Sequence, residues 1–503
     1  MMSTHQNSEK ISFYLSKGLV VRGIRCLKSL YLHKYRPDLK DEVADAMEQR
    51  FESGYAIGDL AQGLFPGGVL VPYDGLSYSE QMDMTASLIA QGCKTIYEAA
   101  FSYNGVFIKA DILHLTEDGW EVYEVKASTG VKDYHLDDAS VQYNVMSGTG
   151  LPISRVFIVH INNQYARLGD IDVEKLFAKE DITSVVQEKQ TFIIDEINRQ
   201  RHMLNGAEPV INIGPHCSSN YPCDFIGHCW SHIKENSIFD IRGRMDGRFS
   251  LYEKGIVSMF DVPEEYLSAK QAIQIQTART HEVHYDHDAV KAFLDSLWYP
   301  LCFLDFETSM EAIPAYDGIR PYQQVPFQYS LHRMDQNGGD VRHDEYLAMP
   351  RTDPRRGLIE KLDSEIPAHA CVLTYNKGFE IARLRDLAIW FPEYKDKIET
   401  IIENIRDLAD PFRRYHIYNE QQYGSYSLKY VLPAMIPDFG YDHLDVQNGG
   451  MAMDAFARMN QTYDNNEIAS IRQSLLEYCK LDTLAMVKII ECLQSTCPNV
   501  SME

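Results

Sequence analysis

The stretch Leu301-Cys302-Phe303-Leu304-Asp305-Phe306-Glu307-Thr308 constrains this chain more than any other. Its apolar run predicts a strand, and the alternation of side chains along a strand puts Asp305 and Glu307 on one face at its end. Two carboxylates placed this way suit the same divalent ions, which take hard oxygen ligands. Taken alone, the pair is better read as strand-end acids in a loop, and the ordered motifs further along the chain reverse that reading.

Downstream, Cys371 to Tyr375 reads as a short buried strand, Lys377 to Trp390 as a helix, and Ile468 to Leu493 as a long helix. Glu380 falls at the start of the first of these helices. Tyr478-x3-Asp482 puts a phenol and a carboxylate one turn apart on one face of the second. In this order and spacing the motifs resemble the DEDD exonucleases of the RNase H-like superfamily, in the tyrosine-containing subgroup. The resemblance implies two metal ions about 4 Å apart, bridged by Asp305, that clamp the attacking and leaving oxygens of a phosphodiester. It also implies Glu307 and Asp482 as further ligands and Tyr478 as the group that orients the attacking water. The third acid of that family is normally aspartate; here the matching position is Glu380, with Asp407 as an alternative. The Ser427-Leu428-Lys429 tract fits a helix beside such a site, or a plain core helix.

The first half carries a different constellation. Gly105 to Leu115 predicts a strand, Thr116 to Gly119 a hairpin turn and Trp120 to Lys126 the return strand. Glu124 and Lys126 then share a face, and Asp111 stands on the neighbouring strand where cross-strand side chains converge. Two carboxylates and an amine suit phosphodiester hydrolysis: the acids hold a divalent metal and the lysine positions water or supports charge. The same residues also make an ordinary cross-strand ion pair. Glu98 precedes the hairpin on a helix-like segment, Ile96 to Phe101, and a helix is expected from about Asp137 to Ser147, before a strand from Arg155 to Ile161. With Gln142 and Tyr143 on that helix, the set resembles the RecB-like branch of the PD-(D/E)XK nucleases, including its CRISPR-associated exonucleases, over roughly residues 20–235. The resemblance implies that Gln142 contacts DNA or the site. Family members usually carry a metal-binding histidine on an earlier helix; the corresponding stretch, Gly58 to Gln62, has none, and Asp59 stands as a substitute oxygen ligand.

Ten cysteines in a chain expected to be cytoplasmic are not expected to pair as disulfides. Cys93, Cys302, Cys371, Cys479, Cys492 and Cys497 stand singly, several as small core side chains. Cys217-x5-Cys223-x5-Cys229 lies instead in a segment with Pro215, Asn220, Pro222 and Gly227, a loop able to wrap a metal centre. Three thiolates need a fourth, and Cys26 is the candidate, for a four-iron four-sulfur cluster or for zinc with His216 or His228 as an alternative ligand. One cysteine before a nuclease core and three after it resembles the iron–sulfur RecB-like nucleases, in which the cluster staples the ends of the domain together.

At 503 residues the chain is long enough for two to four domains at about 150 residues each. The expected division is an N-terminal restriction-endonuclease-like PD-(D/E)XK domain over 1–235, a polar connector over 236–290 with helical pieces at Lys254 to Ile256 and Pro263 to Tyr266, and an RNase H-like domain over 291–503, all α/β in class. No apolar run approaches the ~20 residues that span a bilayer, and Met1 to Lys10 lacks the apolar core of a secretory signal. The net charge of −24 does not exclude nucleic acid, because metal-binding nucleases carry acids of their own and the charge is uneven. Lys17, Arg22, Arg25, Lys28, Lys34, Arg36 and Lys40 form a basic run, read either as phosphate contacts near the cluster or as a solvated helix face. The expectation is a magnesium- or manganese-dependent nuclease acting on DNA, single-stranded or at ends, in repair or anti-phage defence. An RNase, a nucleic-acid-binding scaffold with dead metal sites, and a zinc-stabilised interaction module are the alternatives.

Overall fold

The computed structural model describes residues 15–42, 46–219, 221–243, 245–437 and 439–496. Met1 to Lys10, Asn220 and Cys497 lie outside the described residues. The fold is mixed α/β, in two compact units: Met1–His232 with Ala312–Tyr322, and Ile233–Glu311 with Gln323–Glu503.

The first unit runs β1 (Leu15–Ser16), α1 (Lys17–Arg25), α2 (Leu27–Tyr35), α3 (Ala46–Ala61), β2 (Val69–Leu70), α4 (Tyr78–Ala90), β3 (Thr95–Tyr103), β4 (Val106–Thr116), β5 (Gly119–Lys126), α5 (Asp133–Gly148), β6 (Ile153–Ile161), α6 (Val173–Leu176), β7 (Phe177–Asp181), α7 (Thr183–Glu188), α8 (Gln190–Leu204) and α9 (Ile226–Cys229). Its sheet has the order β2-β3-β4-β5-β6-β7, with β1 added parallel to β4. The segment Ile96 to Phe101 is strand, not helix: β-branched and aromatic residues favour the pleated surface, and β3 pairs antiparallel with β4 along its length. Glu98 interrupts that ladder with a left-handed φ of 55°, a conformation that costs a non-glycine residue energy. Segment 312–322 joins this unit's core, with Ala312, Ile313 and Tyr322 against Ile57, Ala61 and Tyr165. Tyr322 Oη donates to the Ala127 carbonyl at 2.7 Å, and Arg167 Nη1 to the Pro314 and Ala315 carbonyls.

The second unit contains α10 (Met245–Glu253), α11 (Ala269–Thr280), β8 (His284–Tyr285), α12 (His287–Leu294), β9 (Leu301–Ser309), β10 (Val325–Met334), β11 (Val341–Leu347), α13 (Arg355–Glu365), β12 (Cys371–Thr374), α14 (Gly378–Trp390), α15 (Lys395–Glu403), β13 (Ile405–Asp407), α16 (Asp410–Arg413), β14 (Ile417–Tyr418), α17 (Leu428–Met435), α18 (Gly449–Gln461) and α19 (Asn465–Thr496). Residues 236–290 are grouped with this unit and hold a small core of Ile238, Ile241, Met259, Val262 and Ile275. Lys254 to Ile256 is a helix end, not a helical piece. Gly255 takes a φ of 81°, and the Ile256 N–H reaches back to the Leu251 carbonyl at 3.1 Å.

The main sheet of this unit has the order β11-β10-β9-β12-β13, with β9 antiparallel to β10 and parallel to β12. The period of two along β9 divides the core into two layers. Leu301 and Phe303 join one cluster with α17, α18 and α19, and Cys302, Leu304 and Phe306 join another with α13, α14 and α15. Asp305 and Glu307 continue the face shared with α19.

Candidate functional site

In the first unit, β4 and β5 pair from Thr116–Gly119 to Ile112–Tyr123, and β5 then continues parallel to β6 through Lys126. Where the β4 ladder stops, the Asp111 carboxylate accepts the Val125 N–H at 2.7 Å. The opening between the strands holds Asp111, Glu124 and Lys126, and Gln142 of α5 faces it. Glu124 is saturated: Oε1 accepts from Lys126 Nζ at 2.6 Å and from Lys17 Nζ at 2.7 Å, and Oε2 accepts from Gln142 Nε2. Asp138 accepts from Lys126 and lies 3.2 Å from Lys17. Burial, then the Glu124 charge, pushes the Asp111 carboxyl up to about 8. The two lysines stay charged because the neighbouring carboxylates outweigh the burial that opposes them. Three carboxylates therefore face two ammonium groups, and a divalent ion on Asp111 and Glu124 competes with the lysines at Glu124 Oε1 or with Gln142 at Oε2. The buried Gln142 Oε1 has no hydrogen-bond partner among the described residues.

Asp138, on the polar face of the helix after the hairpin, and Lys17, which the sequence offers only as part of the basic run, complete this network. Lys17 is brought in by Ser16, whose hydroxyl caps α1. Glu98 pairs with Lys109 at 3.2 Å. Asp59 does not join the acids; it is exposed and accepts from Gln62 at 3.5 Å. Tyr143 turns instead toward Gln187.

Cys26, Cys217, Cys223 and Cys229 line one small recess, together with His216, Phe225 and Trp230. Arg25 ties the loop to the α1–α2 junction, donating to the carbonyls of His216 and Cys217 at 2.7 Å and of Tyr221 at 2.6 Å. Arg22 bonds both oxygens of Asp224. Hydrogen bonds with Cys217 and Cys26 raise His216 to about 10, and burial raises Cys229 to about 11. No three of the thiols approach within 4.8 Å of one another, whereas thiolates on one tetrahedral zinc at ~2.3 Å would sit closer than that. The basic run is largely consumed internally, because Lys28 pairs with Glu208 and Arg36 with Asp38, while Lys40 joins Arg22 on Asp224.

In the second unit, Asp305, Glu307 and Asp482 converge from β9 and α19, and the Glu380 charge acts on both Asp305 and Glu307. Burial first, then mutual repulsion, raises Asp305 and Glu307 far above the usual carboxylate range. Burial also lifts Asp482 to about 6 and Glu380 to about 8. Lys429 of α17 faces Glu307 and Asp482 and lies over the Tyr441 and Tyr478 rings at 5.7 and 5.8 Å. Four carboxylates against the Lys429 ammonium and the Arg383 guanidinium, which acts on Glu380, leave a deficit that a divalent cation would relieve, so the donor set fits hard ions.

Tyr441 donates to Asp482 Oδ1 at 2.5 Å, and Tyr478, one turn before Asp482 on α19, also faces that carboxylate. Tyr441 belongs to no motif legible in the sequence. Asp407 is not the alternative third ligand: it is buried and accepts from the Asn376 and Ala409 N–H groups and from Arg413 at 3.0 Å. Those bonds hold the turn that starts α14. Cys302, Cys371 and Cys479 are core side chains, whereas Cys93 and Cys492 are half-buried.

Comparison with known proteins returns proteins that carry no assigned activity. Residues 302–427 match a family model described as a domain of unknown function, DUF2779. The chain is 28% identical over 211 residues to the uncharacterized protein MG366 of Mycoplasma genitalium, covering 38% of this chain and 32% of that protein. It is 29% identical over 216 residues to the MG366 homolog of Mycoplasma pneumoniae, covering 39% and 32%. It is 28% identical over 211 residues to the uncharacterized protein UU173 of Ureaplasma parvum, covering 37% and 30%. The matched stretch spans about a third of the length of these relatives.

Proposed function

We propose that this protein is a divalent-metal-dependent nuclease in which the second unit, an RNase H-like exonuclease of the DEDD type, trims nucleic-acid ends. The observation that carries the reading is the convergence of the half-buried Asp305 with three buried carboxylates, Glu307, Glu380 and Asp482, the last of which accepts a tyrosine hydroxyl. The strand order β11-β10-β9-β12-β13, with the acids at the end of the central strand, supports the same fold. Magnesium or manganese, when bound, would supply the Lewis-acid charge that phosphodiester hydrolysis requires. Asp305, Glu307 and Asp482 would hold it, with Glu380 completing the negative wall. Tyr478 orients the attacking water, and Lys429 offers a fixed positive charge beside the phosphate.

The first unit is read as a PD-(D/E)XK domain of the RecB-like branch, with Asp111 and Glu124 as acids, Lys126 as the amine and Gln142 as a site contact. Its four-cysteine recess suits a four-iron four-sulfur cluster with a structural role. We read the substrate as DNA in preference to RNA, the setting as cytoplasmic, and the process as repair or anti-phage defence. No helix among the described residues is long and apolar enough to cross a membrane. One observation favours a second reading for the first unit: Glu124 is already saturated by two lysines and Gln142. That arrangement suits a binding scaffold with a silent metal site.

The test is a nuclease assay on 5′- and 3′-labelled single- and double-stranded DNA and RNA. It uses anaerobically purified protein with magnesium or manganese, beside Glu124→Ala, Asp305→Ala and the double variant. Loss of 3′ trimming in Asp305→Ala alone supports the exonuclease reading. Wild-type activity unchanged in the double variant refutes both assignments.

A further inference from the structure

The carboxylate site of the second unit contains a group that a purely oxygen-liganded reading leaves unused. Cys479 stands on α19 between Tyr478 and Asp482 and is completely buried. Its Sγ lies 3.8 Å from Asp305 Oδ2 and 4.0 Å from the Asp305 carbonyl oxygen. One donor atom from each of Asp305, Glu307 and Cys479 falls within 4.8 Å of the other two, and among the described residues no other set of acidic, histidine or cysteine ligands gathers as closely. A second observation points to a cation at the same place. Glu380 is buried, its Oε2 has no hydrogen-bond partner among the described residues, and its charge acts on Asp305 and Glu307 alike. A buried carboxylate oxygen left without a donor is costly, and a metal ion removes that cost.

We propose that Cys479 is a metal ligand, so that the site formed with Asp305 and Glu307 binds one ion through oxygen and sulfur together. The proposal rests on the metal-site reading above and sharpens which ion it takes. On binding, the Cys479 S–H bond breaks, a metal–sulfur bond forms and the proton leaves to solvent. A thiolate among carboxylates tilts selection away from magnesium, which binds sulfur poorly, toward manganese and more strongly toward iron, cobalt and zinc. The rival role for Cys479 is a simple hydrogen bond to Asp305, which a serine would preserve.

The experiment is a cobalt(II) titration of the chelator-treated full chain, followed by the sulfur-to-cobalt charge-transfer absorption in the near ultraviolet and by bound metal in equilibrium dialysis. The four cysteines of the first unit contribute equally to wild type and Cys479→Ser, so the difference between the two reports Cys479 alone. A difference band that also vanishes in Asp305→Asn/Glu307→Gln supports the proposal. So does a magnesium concentration about tenfold higher in wild type than in Cys479→Ser to displace the same cobalt. If Cys479→Ser keeps the full band while one cobalt per chain still depends on Asp305 and Glu307, Cys479 is not a ligand and the metal-site reading stands. If no bound cobalt depends on Asp305 and Glu307, the metal-site reading itself falls. Cadmium-113 NMR of the wild type needs no variant: a resonance in the mixed oxygen–sulfur range supports the proposal, and one in the all-oxygen range overturns it.

Discussion

Replacing Asp305 with asparagine removes one negative charge from a site crowded with them, and the metal-free protein is expected to become more stable, not less. Ligand oxygens of Asp305 and Glu307 approach within 4.8 Å. At an effective dielectric constant of about 20, two full charges at that distance repel by about 3.5 kcal/mol. The site escapes part of this by holding protons, so the expected gain from Asp305→Asn at pH 8 is about 2 kcal/mol. The sign of the pH dependence comes from the raised carboxyls. Unfolded carboxyls ionise near pH ~4, whereas in the fold Asp482 is raised to about 6, Glu380 to about 8, and Asp305 and Glu307 well above their usual range. Over that window the folded state holds more protons than the unfolded one, so metal-free stability is full below pH ~4 and is lost as pH rises through the folded values. A bound divalent ion reverses this, because it requires the ionised carboxylates, and stabilisation by manganese should grow from pH 5 to 8. The assay is denaturant unfolding with chelator or with manganese over that range, for wild type and Asp305→Asn. A lower metal-free stability of Asp305→Asn at every pH, or equal stabilisation of both proteins by manganese, would refute this electrostatic account.

In the first unit, Lys17→Met leaves Glu124 and Asp138 short of a buried counter-charge and should destabilise the protein by about 3 kcal/mol, with Asp138→Asn recovering part in the double variant; strictly additive effects in the cycle would show that no coupling exists. Arg25→Ala removes three charge-assisted bonds to the cysteine loop, so a loss of about 3 kcal/mol is expected, with faster alkylation of the loop cysteines; unchanged labelling rates would rule out the tethering role. His332 is buried against the Thr483 hydroxyl at 2.7 Å, and burial lowers it to about 3. Its contribution is therefore intact above pH ~6.5 and lost as pH falls toward 3, about 2 kcal/mol of it between pH 7 and 5. A His332→Gln chain whose stability falls just as steeply over that interval would exclude His332 as the source.

Some of this molecule could be read from neighbours along the chain. The period of two placed Asp305 and Glu307 on one face of β9, because successive side chains of any strand alternate whatever surrounds them. The one-turn spacing of Tyr478 and Asp482 likewise needed only a helix, and the β4–β5 hairpin needed only its turn residues. Errors arose where local preference was ambiguous. Ile96 to Phe101 is strand because β4 pairs with it, and Asp407, the alternative to Glu380 as third acid, is taken by Arg413 and two backbone amides.

Other features exist only in three dimensions. The union of Lys17 with Glu124 spans 107 positions and forms because β4 and β5 separate beside the start of α1. Cys479 meets Asp305 of β9 because packing sets the rotation of α19 against the sheet, Tyr441 reaches Asp482 from another segment, and segment 312–322 belongs to the first unit through its apolar contacts. Alternation and helical spacing are properties of the backbone, so the sequence alone carried which acids share a face. Which cation, thiol or hydroxyl meets a buried carboxylate is decided by packing between distant segments, and only the tertiary structure contains it.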